Sequence, residues 1–210
     1  MTLLLGDNVP DFTADTTTGP ISFHDWIGGG WAFFFSHPAD FTPVCTTEMG
    51  RTSQLSAEFT KRGVKPIGLS TDTVEEHLKW IEDVNDTQKT TLRFPIVADP
   101  DLKIAKLYEM IHPSQSETAA VRSVYIIDSD KKLRLTMTYP MNVGRNFDEI
   151  LRVTDALQTG EKFGVATPAD WVPGEKVIIP PSVTDTDASK VFPQGYDTIR
   201  TYLRTVQLKA

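Results

Sequence analysis

The chain has 210 residues, 40% of them hydrophobic, with a formal net charge of −7. That apolar share is enough for a real core, and the negative balance gives no general attraction to nucleic acid or anionic membranes. A single cysteine excludes an intrachain disulfide and a cysteine-rich zinc site.

The opening MTLLLGDNVPDF holds only a three-leucine apolar run, too short for a signal peptide or a membrane span. The expectation is a soluble cytoplasmic protein with no membrane or nucleic-acid partner. Gly28-Gly29-Gly30 has the glycines of a phosphate loop but neither its lysine nor its spacing, and reads as a turn. Trp31-Ala32-Phe33-Phe34-Phe35 is a continuous apolar run, the pattern of a buried central strand.

The next stretch is Ser36-His37-Pro38-Ala39-Asp40-Phe41-Thr42-Pro43-Val44-Cys45-Thr46-Thr47-Glu48. Thr42 is a good N-cap, and Pro43 suits the first helical position, where its missing N–H is not needed. Cys45 then falls in the first turn, where unpaired amides and the positive end of the helix dipole favour an anion. Such a setting lowers a cysteine pKa from about 8.5 by one to several units, and the thiolate is the nucleophilic form. The helix carries Met49, Leu55 and Phe59 and is expected to run to Gly63, a good C′ residue.

Residues 64–70 read as a strand. Thr73-Val74-Glu75-Glu76 is a capping box, followed by Leu78 and Ile81 at helical spacing from Val74. Residues 94–98 form a third short strand, and Asp99-Pro100 opens another helix. Residues 122–127 are an apolar strand, residues 128–132 a turn, and residues 133–139 a half-exposed antiparallel strand. Asn146 caps a helix striped by Phe147, Ile150, Leu151, Thr154 and Leu157, ending near Gly160. Alternating β and α units, then a hairpin and a closing helix, predict an α/β fold: a mixed sheet with helices on both faces. Cys45 sits just past the carboxyl end of a central strand, where open α/β sheets place their sites. From about residue 166 the prolines scatter and periodicity fades, so a small C-terminal subdomain of turns and short strands is expected, burying Trp171, residues 177–179, Phe192 and Tyr202. The four histidines, at 24, 37, 77 and 112, show no close pairing at metal-ligand spacing, so no metal is expected.

The chain resembles the 1-Cys peroxiredoxins of the peroxiredoxin 6 type, in the AhpC/TSA superfamily. The signature P-x-x-x-T-x-x-C is met by Pro38, Thr42 and Cys45, and the run FSHPADFTPVCTTE fits it almost throughout. Arg122 before a strand, Tyr139-Pro140 with Gly144-Arg145-Asn146, FDEILRV, residues 166–171 and Tyr202-Leu203-Arg204 extend the likeness over nearly the whole chain. The resemblance implies a thioredoxin-like fold in residues 1–165 and a C-terminal dimerisation domain in residues 166–210. It implies a homodimer or a larger ring, and reduction of hydrogen peroxide and organic hydroperoxides without a cofactor. Thioredoxin's C-x-x-C is absent, since Thr42 stands in the place of its first cysteine.

In that reading the Cys45 thiolate attacks a peroxide and becomes a sulfenic acid. Spacing alone does not choose among nine arginines for the cation the reaction needs. The resemblance points to Arg122, with Thr42 and Pro38 around the peroxide. It places His37, Glu48 and Arg145 behind them, Glu48 orienting both arginines. With one cysteine there is no dedicated resolving residue, so an external thiol of the glutathione or thioredoxin type must complete the cycle. An exposed sulfenic acid would also be open to further oxidation.

Two other classes compete. Some relatives of this type carry a phospholipase activity using a serine in a G-x-S-x-G-like run. His24 and Asp130 match its partners here, but the serine position is Gly30, so that nucleophile is missing. A non-enzymatic thioredoxin-like binding module is the other alternative.

Overall fold

The computed structural model describes residues 3–209, and the chain divides into two compact units, one up to Phe147 and one from Asp148 onward. In the first unit a two-stranded ribbon, β1 (Thr13–Ala14) and β2 (Ile21–Ser22), leads to the short helix α1 (Phe23–Ile27) and the turn at 28–30. Then come β3 (Trp31–Ser36), α2 (Pro43–Gln54), α3 (Ser56–Lys61), β4 (Val64–Ser70) and α4 (Val74–Gln88). β5 (Ile96–Ala98), α5 (Lys103–Leu107), β6 (Arg122–Ile127) and β7 (Leu133–Tyr139) complete it.

The five long strands form one sheet in the order β5-β4-β3-β6-β7. β3, β4 and β5 are parallel, while β6 and β7 run antiparallel to their neighbours, so the sheet is mixed as expected. β3 is central and buried throughout. Its period-two alternation divides the aromatics between the two faces. Ala32 and Phe34 join the cluster of Phe12, Phe23, Ile27 and Tyr108. Phe33 and Phe35 stack on each other and Phe33 on Phe59, at ring separations of 4.6 and 5.2 Å. Helices therefore cover both faces of the sheet.

Two glycines allow close approach behind the site. A Cβ on Gly68 would lie 3.1 Å from Met49 Cε, and one on Gly50 would lie 2.3 Å from Gln88 Cγ. Gly50 thus brings α2 against α4. The capping box of α4 forms as read, with Thr73 and Glu76 exchanging bonds.

Some expected boundaries move. The helix from Pro43 breaks at Leu55 into α2 and α3, and Gly63, at φ +64°, follows the second of them. Asp99 opens α5 as expected, but from outside it: its carboxylate accepts the amides of Lys103, Ile104 and Ala105.

In the second unit α6 (Phe147–Phe163) runs past Gly160 and ends at Gly164, whose φ is +62°. β8 (Val177–Ile179), α7 (Asp185–Val191), β9 (Asp197–Arg200) and β10 (Leu203–Val206) follow, the strands forming an antiparallel sheet in the order β8-β10-β9. Helix α7 was not anticipated among the scattered prolines. Trp171, Val177, Ile179 and Phe192 are buried in this unit's core, but Tyr202 is 69% exposed, against expectation. Among the described residues no helix is long and apolar enough to cross a membrane.

Candidate active site

The β3–α2 connection at the carboxyl end of β3 carries the site. Thr42 stands at the N-cap position with extended backbone and Pro43 opens the helix. The hydroxyl of Thr42 does not cap, however; it donates to the Ala39 carbonyl at 2.8 Å. Its oxygen lone pairs therefore stay available to accept a bond, and the first-turn amides keep no intrahelical partner. Phe41 precedes it with φ +54° and is 56% exposed, while Pro38 is buried.

Cys45 lies one turn in, and its side chain is fully buried rather than exposed as the sequence suggested. Burial alone would disfavour a thiolate, but a cation is built in beside it: Arg122 Nη1 donates to Cys45 Sγ at 3.3 Å. The same Nη1 donates to Glu48 Oε2 at 2.7 Å, and Nε and Nη2 both donate to the Met141 carbonyl. Arg122 thus grips the sulfur, a carboxylate and the loop after β7 at once.

Glu48 sits one helical turn beyond Cys45, on the same face of α2. Arg145 closes on it with its backbone N–H, Nε and Nη2, at 2.8, 3.0 and 2.6 Å. Burial works to raise the Glu48 carboxyl, but Arg145 and then Arg122 outweigh it and hold it below the usual carboxylate range. Arg145 Nη1 also donates to the carbonyls of Ser36 and Ser123, tying β3 to β6, and the guanidinium lies 4.8 Å from the centre of the Phe35 ring. Two cations sharing one carboxylate leave a net positive charge next to the sulfur.

The sequence-derived set of Cys45, Arg122, Glu48 and Arg145 is brought together, with Thr42 and Pro38 on the adjoining loop. His37 is fully buried at the end of β3, and Asp40, His77 and Trp80 surround it; of these three the sequence marks only His77, as a histidine with no close pairing. His37 Nε2 is 2.8 Å from Asp40 Oδ1, and His77 Nδ1 is 2.6 Å from Asp40 Oδ2. The two histidines thus meet through an aspartate, which spacing along the chain does not reveal. Trp80 lies 5.1 Å from the His37 ring and donates its Nε1–H to Thr46, the neighbour of Cys45. Burial lowers the His37 pKa, opposed by Asp40. Asp40 is held low by its two histidine bonds, against burial.

A groove of about 620 Å³ lined by Trp26, Ser53, Lys65, Lys89, Arg93 and Phe94 shares no residue with these surroundings. At the 28–30 turn, His24 Nε2 lies 3.0 Å from the Val9 carbonyl, and a Cβ on Gly30 would come 3.1 Å from the Gly63 carbonyl. That turn is crowded by backbone even before a nucleophile is considered.

Comparison with known proteins agrees in both parts of the chain. Residues 5–136 match the AhpC/TSA family and residues 156–195 the C-terminal domain of 1-Cys peroxiredoxin. A 1-Cys peroxiredoxin of Dictyostelium discoideum is 50% identical over 202 residues, covering 96% of this chain and 84% of that protein. Two solved structures superpose over 99% of this chain and all of theirs. One is a cysteine-to-serine variant of Arenicola marina peroxiredoxin 6, with TM-score 0.94 and 44% identity. The other is a yeast mitochondrial 1-Cys peroxiredoxin, with TM-score 0.93 and 46% identity, solved for its thiol-resolving mechanism via glutathione/thioredoxin systems.

Proposed function

The chain belongs to the AhpC/TSA family and within it to the 1-Cys peroxiredoxins, and from that premise we propose how its single sulfur is used and renewed. It has the thioredoxin-like fold and is a thiol-dependent peroxidase acting through one cysteine. The observation that carries the site assignment is the 3.3 Å contact between Arg122 Nη1 and Cys45 Sγ inside a buried cationic cluster.

The Cys45 thiolate attacks the terminal oxygen of a peroxide. The S–O bond forms as the O–O bond breaks, sulfur is oxidised to sulfenic acid, and the leaving alkoxide or hydroxide takes a proton to give alcohol or water. Arg122 meets the sulfur with a fixed positive charge and stabilises charge on the leaving oxygen as it develops. It suits both tasks because a guanidinium stays charged and offers several donors in one plane. Thr42, whose hydroxyl proton is committed to Ala39, accepts from the incoming hydroperoxide, and the Cys45 amide binds its oxygen. Pro38 shields the sulfur without adding a competing N–H. Glu48 and Arg145 hold Arg122 in place.

The sulfenic acid is then reduced by an external thiol of the glutathione or thioredoxin type, consistent with the yeast relative. Dependence on such a thiol fits a reducing compartment, the cytoplasm. Leu133 at the start of β7 bonds to Gly6 and Asp7, and the rest of this edge strand, with its alternating half-exposed pattern, suits pairing with a second copy, giving a homodimer.

The test is stopped-flow tryptophan fluorescence on mixing with peroxide. A fast phase far above the rate of an ordinary free thiol, lost in Cys45→Ser, is expected. A slow phase typical of an unactivated thiol would overturn the site assignment.

A further inference from the structure

We infer that His77 is a positioning residue for this reaction: from α4 it clamps Asp40, fixes the loop that carries Pro38 and Thr42, and leaves Nδ1 of His37 without a proton. The functional part rests on the role proposed above for that loop; the protonation pattern stands on geometry alone.

The loop between β3 and α2 is anchored at Asp40 from three directions. Its carboxylate takes His37 on one oxygen and His77 on the other, and its backbone N–H donates to Asp72 at 3.0 Å. Both histidines are fully buried and Asp40 is 7% exposed, so water does not substitute for a missing partner. Ala39, the acceptor for the Thr42 hydroxyl, is the next residue back along the loop. A shift of Asp40 therefore moves the hydroxyl proposed to meet the peroxide.

The ring protons follow from what each nitrogen faces. An ionised carboxylate only accepts, so His37 carries a proton on Nε2 and His77 on Nδ1. His77 Nε2 lies 3.3 Å from the Val97 carbonyl, which also only accepts. Both ring nitrogens of His77 thus face acceptors, one the Asp40 carboxylate and the other a backbone carbonyl. His37 Nδ1 is buried with no hydrogen-bond partner among the described residues. A proton there would add an unsatisfied donor and an unpaired charge in a site closed to water. The other charged groups facing the pair are Asp72, which also accepts from Ser70, and Glu76 at the start of α4, turned toward Thr73.

Contacts of 2.6 and 2.8 Å are hydrogen-bond lengths. Ligands arranged tetrahedrally about zinc at 2.0–2.1 Å would stand about 3.3 Å apart. The cluster of His37, Asp40, Asp72 and His77 is thus a proton-holding network rather than a ligand set.

Nitrogen-detected NMR of the histidine rings in the reduced, unsubstituted protein at neutral pH tests this directly. A proton on His77 Nδ1 and one bare nitrogen on His37, assigned to Nδ1, are expected. A bare Nδ1 on His77, or a proton on His37 Nδ1, would overturn the inference even if peroxidase activity is confirmed. In His77→Gln the Asp40 carboxylate faces His37 alone, so His37 gains its second proton as pH falls. The rate constant with peroxide should drop about tenfold to a hundredfold, and His37 Nδ1 should take up its proton at a higher pH than in the parent. A fall in rate with the His37 protonation unchanged would also overturn it.

Discussion

Arg122 and Glu48 meet at 2.7 Å with both side chains only 3% exposed, and Arg122 reaches the only cysteine from that pairing. A buried ion pair of this kind gives little net stability by itself, because desolvation offsets the attraction. Its value here is orientation. The carboxylate fixes where the guanidinium points, and the guanidinium fixes the charge seen by sulfur.

Replacing Arg122 by Lys keeps the charge but removes the fork that holds the sulfur, Glu48 and the Met141 carbonyl together. The rate constant for Cys45 oxidation should fall about 10² to 10³-fold, the usual loss on removing one donor to developing charge. Stopped-flow fluorescence checks this, and a change under threefold would remove Arg122 from the mechanism.

Replacing Glu48 by Gln leaves two buried guanidinium groups without their shared anion. The expected destabilisation is about 3–5 kcal/mol, as for other broken buried pairs, measured by urea denaturation at neutral pH. The parent protein should also show a pH signature. Its folded carboxyl is held below the ordinary value of 4.5, so this contribution is complete above that pH and disappears as pH falls through the folded pKa. Denaturation midpoints between pH 6 and 3 should decline more steeply in the parent than in Glu48→Gln.

Gly50→Ala tests the contact between α2 and α4. A helical Gly→Ala change ordinarily stabilises, but the new carbon would lie 2.5 Å from Gln88 Cβ, which cannot move without its backbone. A net loss of about 1–3 kcal/mol is expected from overpacking. An increase in melting temperature would show that the helices separate freely.

Purified protein should release no fatty acid from phosphatidylcholine, and neither should Gly30→Ser. The added side chain meets the Gly63 carbonyl, and the His24 ring is already engaged with Val9. Measured release by either form would contradict this.

Much of the fold is legible because its signals are local. The run at 31–35 is apolar on both faces and becomes the central strand, and the alternation at 133–139 becomes the edge strand. The break at Leu55 carries no glycine or proline to announce it, and Gly160 reads as a terminator although the one that acts lies four residues later at Gly164. Tyr202 reads as core from its size, yet it stands exposed.

The site divides in the same way. Thr42, Pro43 and Cys45 are read from helix-start chemistry, whereas Arg122 lies 77 positions from the sulfur and came from family likeness alone. The pairing of Asp40 with His77, 37 positions apart, is not legible because only the packing of α4 against the β3 end joins them. The burial of Cys45 is likewise not legible, since it depends on groups from far along the chain such as Arg122.

The loop after β7 hangs from the same guanidinium that touches the sulfur, through the Met141 carbonyl. Loop and sulfur are therefore coupled through one side chain. Lengthening or shortening the segment after β7 would retune reactivity at position 45 without altering a single residue beside it.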